Sequence, residues 1–371
     1  VLRTTFGFLS GSATARRISM NVPGARNMAR RFVAGDTVAD GIAAARELAG
    51  RGFGVSLDYL GESVRSREAA TAAADTYIAV IDRIGRDPAL RERVNVSLKL
   101  TQMGQDIPLA GGGANGREGD GAGGSAGGRA DGPTAMHEQA GSRWPHPPHG
   151  MTPLDDGGHD DAFLRANVVR ILDAARDHDI FVRFDMEGTP HTQRTLDFFH
   201  SLRDAGYTNT GIVLQAYLLR SLHDARYANR LGCRVRLCKG AYREPARYAF
   251  QARKDVSASF VQVMQILLSD GNYPGIATHD EALIDATREY AAAHDLPSAG
   301  WEFQMLYGVR RDLQTQLLAG GYNLRVYVPF GEAWYPYLMR RLAERPANAL
   351  FILSAVLRES PLRFLLRSRR R

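Results

Sequence analysis

The run Val94-Asn95-Val96-Ser97-Leu98-Lys99-Leu100 alternates apolar and polar side chains at every step. A period of two separates the faces of an extended strand. Seven more runs read as strands: Phe53–Tyr59, Ile180–Met186, Ile212–Tyr217, Cys233–Lys239, Gly275–His279, Trp301–Met305 and Leu324–Val328. A helical pattern follows each of them, which predicts an α/β chain folded as a (βα)8 barrel. A further helix is expected before the first strand, around Asp36–Gly50, and another, Ala347–Arg358, after the last unit.

The alternation also assigns the faces. The outer face of a barrel must meet apolar helices, so the polar set points into the lumen. That set is Asp58, Lys99, Arg183, Asp185, Gln215, Arg234, Arg236, Glu302, Gln304, Arg325 and Tyr327. Barrel interiors are ordinarily packed with Val, Ile and Leu. Buried charges cost several kcal/mol each unless paired, so a network of structural ion pairs and a polar ligand are the competing explanations. The excess of cations suits an anionic ligand, and several of these residues stand at strand C-termini, where barrel enzymes carry their chemistry.

One interval breaks the rhythm. The second and third strands start 86 residues apart, and the excess is a Gly-rich stretch, roughly 104–158. From Leu109 to Gly150 there are 13 glycines, and the only large apolar residues are Leu109, Met136 and Trp144. Such a segment cannot bury enough surface to offset its ordering entropy, so it is expected to be a disordered insertion in a single 1–371 domain, set after the second strand near Lys99. Four of the ten histidines fall in or beside it (His137, His146, His149 and His159), which reads as a solvated loop and not a metal tract.

Composition excludes other classes. With 44% hydrophobic and 23% charged residues, the chain has core material but no apolar run long enough for a membrane helix. The basic N-terminus (Arg3, Arg16, Arg17, Arg26, Arg30, Arg31) is too interrupted for a secretory signal. The net charge of +7 is scattered and carries no nucleic-acid motif, so no nucleic acid is expected as a partner. Cys233 and Cys238 lie in one strand and face opposite ways, so no disulfide is expected, and a reducing, cytoplasmic setting fits.

The last helical segment reads Glu332-Ala-Trp-Tyr-Pro-Tyr337-Leu-Met-Arg340-Arg341-Leu-Ala-Glu344, with Tyr337, Arg340, Arg341 and Glu344 within an arc of about 100°. Taken with Asp58-Tyr-Leu-Gly-Glu62, Phe184-Asp185-Met186-Glu187, Leu214-Gln215-Ala216-Tyr217, Arg236-Leu-Cys-Lys239-Gly240-Ala241-Tyr242, Ala277-Thr278-His279 and Glu302-Phe-Gln-Met-Leu306-Tyr-Gly308, it resembles the proline dehydrogenase family in its bacterial monofunctional form. The most specific pieces are the Arg-Leu-x-Lys-Gly-Ala-Tyr run and the Tyr-x-x-Arg-Arg-x-x-Glu helix. Together the motifs span almost the whole chain outside the insertion.

The resemblance implies a distorted TIM-like barrel that binds FAD, oxidises L-proline to 1-pyrroline-5-carboxylate by hydride transfer to flavin N5, and passes electrons to a quinone. It implies substrate-carboxylate contacts from Lys99, Arg340 and Arg341. Tyr327, Tyr337 and Leu306 would form walls around the ring, with Tyr242 nearby and Glu62 as acidic partner to the first arginine of the pair. Arg236 would lie at the reactive edge of the flavin and Asp185 would orient the cations. Met186, Gln215, Lys239, Gly240, Ala241, Thr278 and His279 correspond to cofactor-binding positions. No G-x-G-x-x-G follows a strand, so the barrel itself would hold the FAD. Any membrane contact would be peripheral. The resemblance leaves open hydroxyproline as substrate. From the residues alone, a Schiff-base aldolase built on Lys99 and a catalytically silent flavin-binding scaffold stay open as well.

Overall fold

In the computed structural model, residues 30–109, 143–147 and 158–344 are described, with the backbone alone for 340–344. The chain enters through helix α1 (Val38–Gly50) and then alternates strands and helices. The first half runs β1 (Gly54–Tyr59), α2 (Arg67–Gly85), the short α3 (Pro88–Arg91), β2 (Val94–Leu98), α4 (Asp161–Asp177), β3 (Val182–Phe184), α5 (Thr189–Asp204) and β4 (Thr210–Gln215). The second half runs α6 (Ser221–Arg230), β5 (Arg234–Cys238), α7 (Arg253–Asp270), β6 (Gly275–Ala277), α8 (Glu281–Ala293), β7 (Glu302–Leu306), α9 (Arg311–Ala319), β8 (Leu324–Phe330) and α10 (Trp334–Glu344). The eight strands close into one parallel barrel in sequence order, β8 pairing back to β1. Every expected strand is present. The third is shorter than its pattern, because only Val182–Phe184 keeps ladder pairing on both sides.

Local chemistry sets the boundaries. Thr37 caps α1 in a reciprocal box with Asp40, whose carboxylate accepts from the Thr37 amide. Helix α2 buries Ala70, Ala73, Ala74, Tyr77, Val80, Ile81 and Ile84, a stripe at three- and four-residue spacing laid on the outer face of the sheet. Burying a side chain such as Ile81 contributes about 1.5–3 kcal/mol. The expected C-terminal helix Ala347–Arg358 lies outside the described residues.

The inward face is polar, as the alternation requires, and small residues make room for it. A Cβ at Gly54 would fall 3.1 Å from the Arg325 guanidinium and one at Gly275 2.3 Å from the Gln304 amide, while one at Gly211 would meet the Arg234 carbonyl at 2.4 Å. Glycines on two strands therefore leave space for long polar side chains. Arg234, expected in the lumen, opens at the N-terminal end, where its guanidinium lies 5.1 Å from the ring centres of Phe181 and Tyr273.

The insertion follows β2, as expected. Its uniform disorder is corrected at Trp144, which is completely buried. The indole donates to Asp224 at 3.0 Å and its ring meets Tyr227 edge-on at 4.8 Å. The Trp144 main chain bonds Asp197 and Gln193 at 2.8 and 2.9 Å. A slot between α5 and α6 receives this one aromatic, which gives it the apolar contact that the surrounding glycines cannot. At the other end, Pro108 and His159 form an antiparallel bridge, and His191 of α5 bonds Asp106 at 3.0 Å. The expected disorder of 110–142 and 148–157, with His137 and His149, falls outside the described residues. Both cysteines are free.

Among the described residues, no helix is long and apolar enough to cross a membrane.

Candidate active site

The polar lumen gathers at the C-terminal ends of the strands. Asp58 on β1 is fully buried and accepts both close contacts of the Lys99 ammonium, at 3.0 and 3.2 Å. Lys99 stands one residue past β2, with Asp185, one past β3, at 3.8 Å. Asp185 binds Arg236 at 2.8 Å and accepts the Tyr327 hydroxyl at 2.7 Å. Arg236 also donates to Gln304 at 2.5 Å and to the hydroxyls of Ser56 and Ser97, each at 3.2 Å. Four partners from four strands thus fix one guanidinium, which lies 5.1 Å from the Tyr327 ring centre.

The electrostatics follow from burial and pairing. Burial disfavours the charge on Lys99, but Asp58 and then Asp185 outweigh it, so its pKa is raised and it stays a cation. A Schiff-base lysine needs a neutral amine, which this double carboxylate contact disfavours. Burial raises Asp58, with Lys99 pulling it back down. Burial, reinforced by Asp185, holds the Tyr327 phenol far above its ordinary value, so it acts as a donor. At this end Lys99 and Arg236 are matched by Asp58 and Asp185, so the described charged side chains of the mouth balance.

The other expected residues fall around this centre. Leu306 pairs in register with Tyr327, and Tyr327 packs against a buried cluster that holds Tyr337, Leu60, Phe32 and Trp334. The structure thus brings the three expected wall residues to one side of the mouth. Arg340 and Arg341 lie on α10, and their side chains fall outside the described residues. Glu62 follows β1 and is half-buried. Lys239 pairs with Asp280 at 2.7 Å, and Thr278 accepts the Asp280 amide at 3.1 Å. The His279 ring accepts the Leu306 amide through Nε2 at 2.9 Å, which assigns its proton to Nδ1.

An FAD fits these donors on two observations. The Gln215 amide nitrogen bonds the Met186 carbonyl at 3.3 Å, while its buried Oε1 has no partner, an unmet acceptor at a strand end facing the lumen. Gly240 has φ +108° and a Cβ there would fall 2.2 Å from the Tyr217 ring, so only glycine lets the Lys239–Ala241 backbone follow this path. Gln215 would bind a pyrimidine edge, with Met186 beside it. The Lys239–Ala241 backbone, Thr278 and His279 would border the rest, and Arg236 would supply the cation.

Sequence reasoning assigned no role to Asp58, Ser56, Ser97 or Gln304. All four sit on inward strand positions, so the alternation that found Lys99 and Arg236 marked them too. Their functions lie in cross-strand partners that a single strand does not reveal.

Fold and mouth define a class: a (βα)8-barrel enzyme whose polar side chains gather at the C-terminal ends of the strands. The family model described as proline dehydrogenase matches residues 42–353. Proline dehydrogenase 1 of Bacillus subtilis is 34% identical over 97% of this chain and all of its own length. Proline dehydrogenase of Deinococcus radiodurans is 35% identical over 90% of this chain and 91% of its own. Among solved structures, proline utilization A from Bdellovibrio bacteriovorus, inactivated by N-propargylglycine, superposes with a TM-score of 0.67 at 22% identity. That match covers 89% of this chain and 33% of the larger one, and it shows the shared barrel.

The chain belongs to the proline dehydrogenase family. The family's activity is the FAD-dependent oxidation of proline to 1-pyrroline-5-carboxylate, the first step of proline catabolism.

Proposed function

We propose that the mouth of this barrel binds L-proline by its carboxylate between Lys99 and the paired arginines Arg340 and Arg341. Arginine gives bidentate recognition and lysine a point charge, and together they suit a carboxylate. Tyr327, Tyr337 and Leu306 pack the ring, with Tyr242 at the border. Glu62 partners the first arginine of the pair at the entrance. Asp185 orients Lys99, Arg236 and the Tyr327 hydroxyl, and with three cation or hydroxyl partners it is not the base. Among the described residues none at the mouth is assigned as proton acceptor, so the amine is neutralised by solvent, and the rate rises with pH as the bound amine ionises.

FAD, when bound, would supply the hydride acceptor for proline oxidation and the electron donor to a quinone. The chain would hold it through Met186, Gln215 and Arg236 on one side and through Lys239, Gly240, Ala241, Thr278 and His279 on the other. The whole chain works as one domain on the cytoplasmic side, peripheral to the membrane that carries the quinone, with the 104–158 insertion set into it.

The observation that carries this reading is the Lys99–Asp185–Arg236–Tyr327 constellation, in which two cations and a hydroxyl converge on one carboxylate at the strand ends. The test is the visible spectrum of the purified protein, taken anaerobically before and after L-proline. A flavin band that bleaches and returns with a quinone analogue is expected. A band that persists would remove proline as substrate. An unchanged affinity for proline in Arg341→Ala would remove the carboxylate assignment.

A further inference from the structure

Lys99 is an unusual receptor for a carboxylate, because it already holds one. Asp58 lies beneath it with no solvent exposure and contacts the ammonium through both carboxylate oxygens, at 3.0 and 3.2 Å. An ammonium has three donors, so at least one remains for a guest. We propose that Asp58 is a positioning residue for this site: it aims the Lys99 ammonium at the mouth and supplies the negative charge that a buried cation requires. This rests on the reading of Lys99 as a carboxylate receptor.

The neighbours show why Asp58 and no other group does this. Asp185 is the next nearest carboxylate, at 3.8 Å, but it is engaged by Arg236 and by Tyr327 of β8. Glu187, after β3, bonds the Thr101 hydroxyl at 2.7 Å. Tyr242 after β5 and Glu62 after β1 act on Lys99 more weakly than Asp58 or Asp185. Burial acts on Lys99 in the opposite sense and is the largest single influence. With Asp58 neutral, burial gains ground and Lys99 releases its proton at lower pH.

The probe is cyclopentanecarboxylate, which keeps the ring and the carboxylate of proline but has no amine to titrate. Its Kd for the FAD-loaded enzyme is measured by calorimetry from about pH 6.5 to about pH 9.5. The wild type is expected to bind with a Kd constant within about twofold across the range, because Lys99 stays charged. Asp58→Asn, nearly isosteric, is expected to bind comparably at pH 7 and to weaken about tenfold or more by the alkaline end. The double variant Asp58→Asn/Lys99→Met should be weak and flat. A flat profile in Asp58→Asn with normal flavin content would overturn the proposal. So would an alkaline limb in the wild type that Lys99→Met abolishes, a result that does not need Asp58→Asn to fold. If Lys99→Met binds the probe as well as wild type at pH 7, Lys99 is not the receptor, and the underlying reading fails before Asp58 is tested.

Discussion

The two ends of the barrel lumen are both built from buried charge, and they use it differently. At the N-terminal end, Arg325 pairs with Glu302 at 2.8 Å and donates to the carbonyls of Val55 and Arg93, each at 2.9 Å. Arg183 donates to the carbonyls of Ile212 and Arg234. These cations are tied to main chain and cannot be withdrawn without loosening the strands. Arg325 and Gln304 also hold Glu302 below the usual carboxylate range despite its burial. At the C-terminal end, Lys99, Arg236 and Tyr327 bond side chains, which can share their donors with a guest. Charge inside a barrel therefore does not mark a site by itself. The identity of its partners separates a plug from a receptor.

Substitution at each end should separate the two roles. Arg325→Leu strands Glu302 and should cost about 3–5 kcal/mol of stability, the range for breaking a buried pair. Calorimetry should show a lowered melting temperature, while the KM for proline of the folded enzyme stays near wild type. If affinity fell and stability held, the two ends would not differ in kind. Arg236→Met, at the mouth, should slow flavin bleaching at saturating proline by about 100-fold, the loss typical of a removed electrostatic stabiliser. Its melting temperature should fall less than that of Arg325→Leu. Tyr327→Phe removes one hydroxyl from Asp185 and should lower kcat/KM by about tenfold, near the low end for a bond to a charged group.

The smallest effect sharpens the picture outside the lumen. The hydrogen bond to Asp106 raises the His191 pKa above its ordinary 6.5, and the same bond holds Asp106 below 3.8. The histidine's contribution is complete below about pH 6.5 and is lost as pH rises through its folded value. That of the aspartate is complete above about pH 4 and is lost as pH falls through its folded value. The pair should therefore stabilise most between these limits, by at most about 1 kcal/mol because both groups are partly exposed. Urea unfolding of His191→Asn against wild type should differ most near pH 5.5 and converge at alkaline pH.

The barrel was legible because most of its strands, β2, β3, β5, β7 and β8, write their two faces as an alternation, and that signal is local. The same signal gave Lys99, Asp185, Arg236 and Tyr327 as inward residues. Their selection as a site came from motif order along the chain. What stayed hidden was non-local. The grip of Asp58 on Lys99 joins β1 to β2, and Ser56 of β1 and Ser97 of β2 support Arg236 of β5 from across the barrel. Trp144 was hidden for the same reason. Composition around it predicts a solvated loop, and its burial depends on a slot made by α5 and α6. A lone aromatic beside Pro145 and Pro147 in a glycine-rich run was the one local sign.

The chain has three tryptophans, and the fold places each in a different district. Trp301 packs at the base on Phe303, Trp144 fills the helical wall, and Trp334 joins the aromatic cluster at the mouth. All three are buried. Intrinsic fluorescence is therefore a label-free record of three separate events. Proteins with single tryptophans restored one at a time would report whether the wall, the base or the mouth melts first.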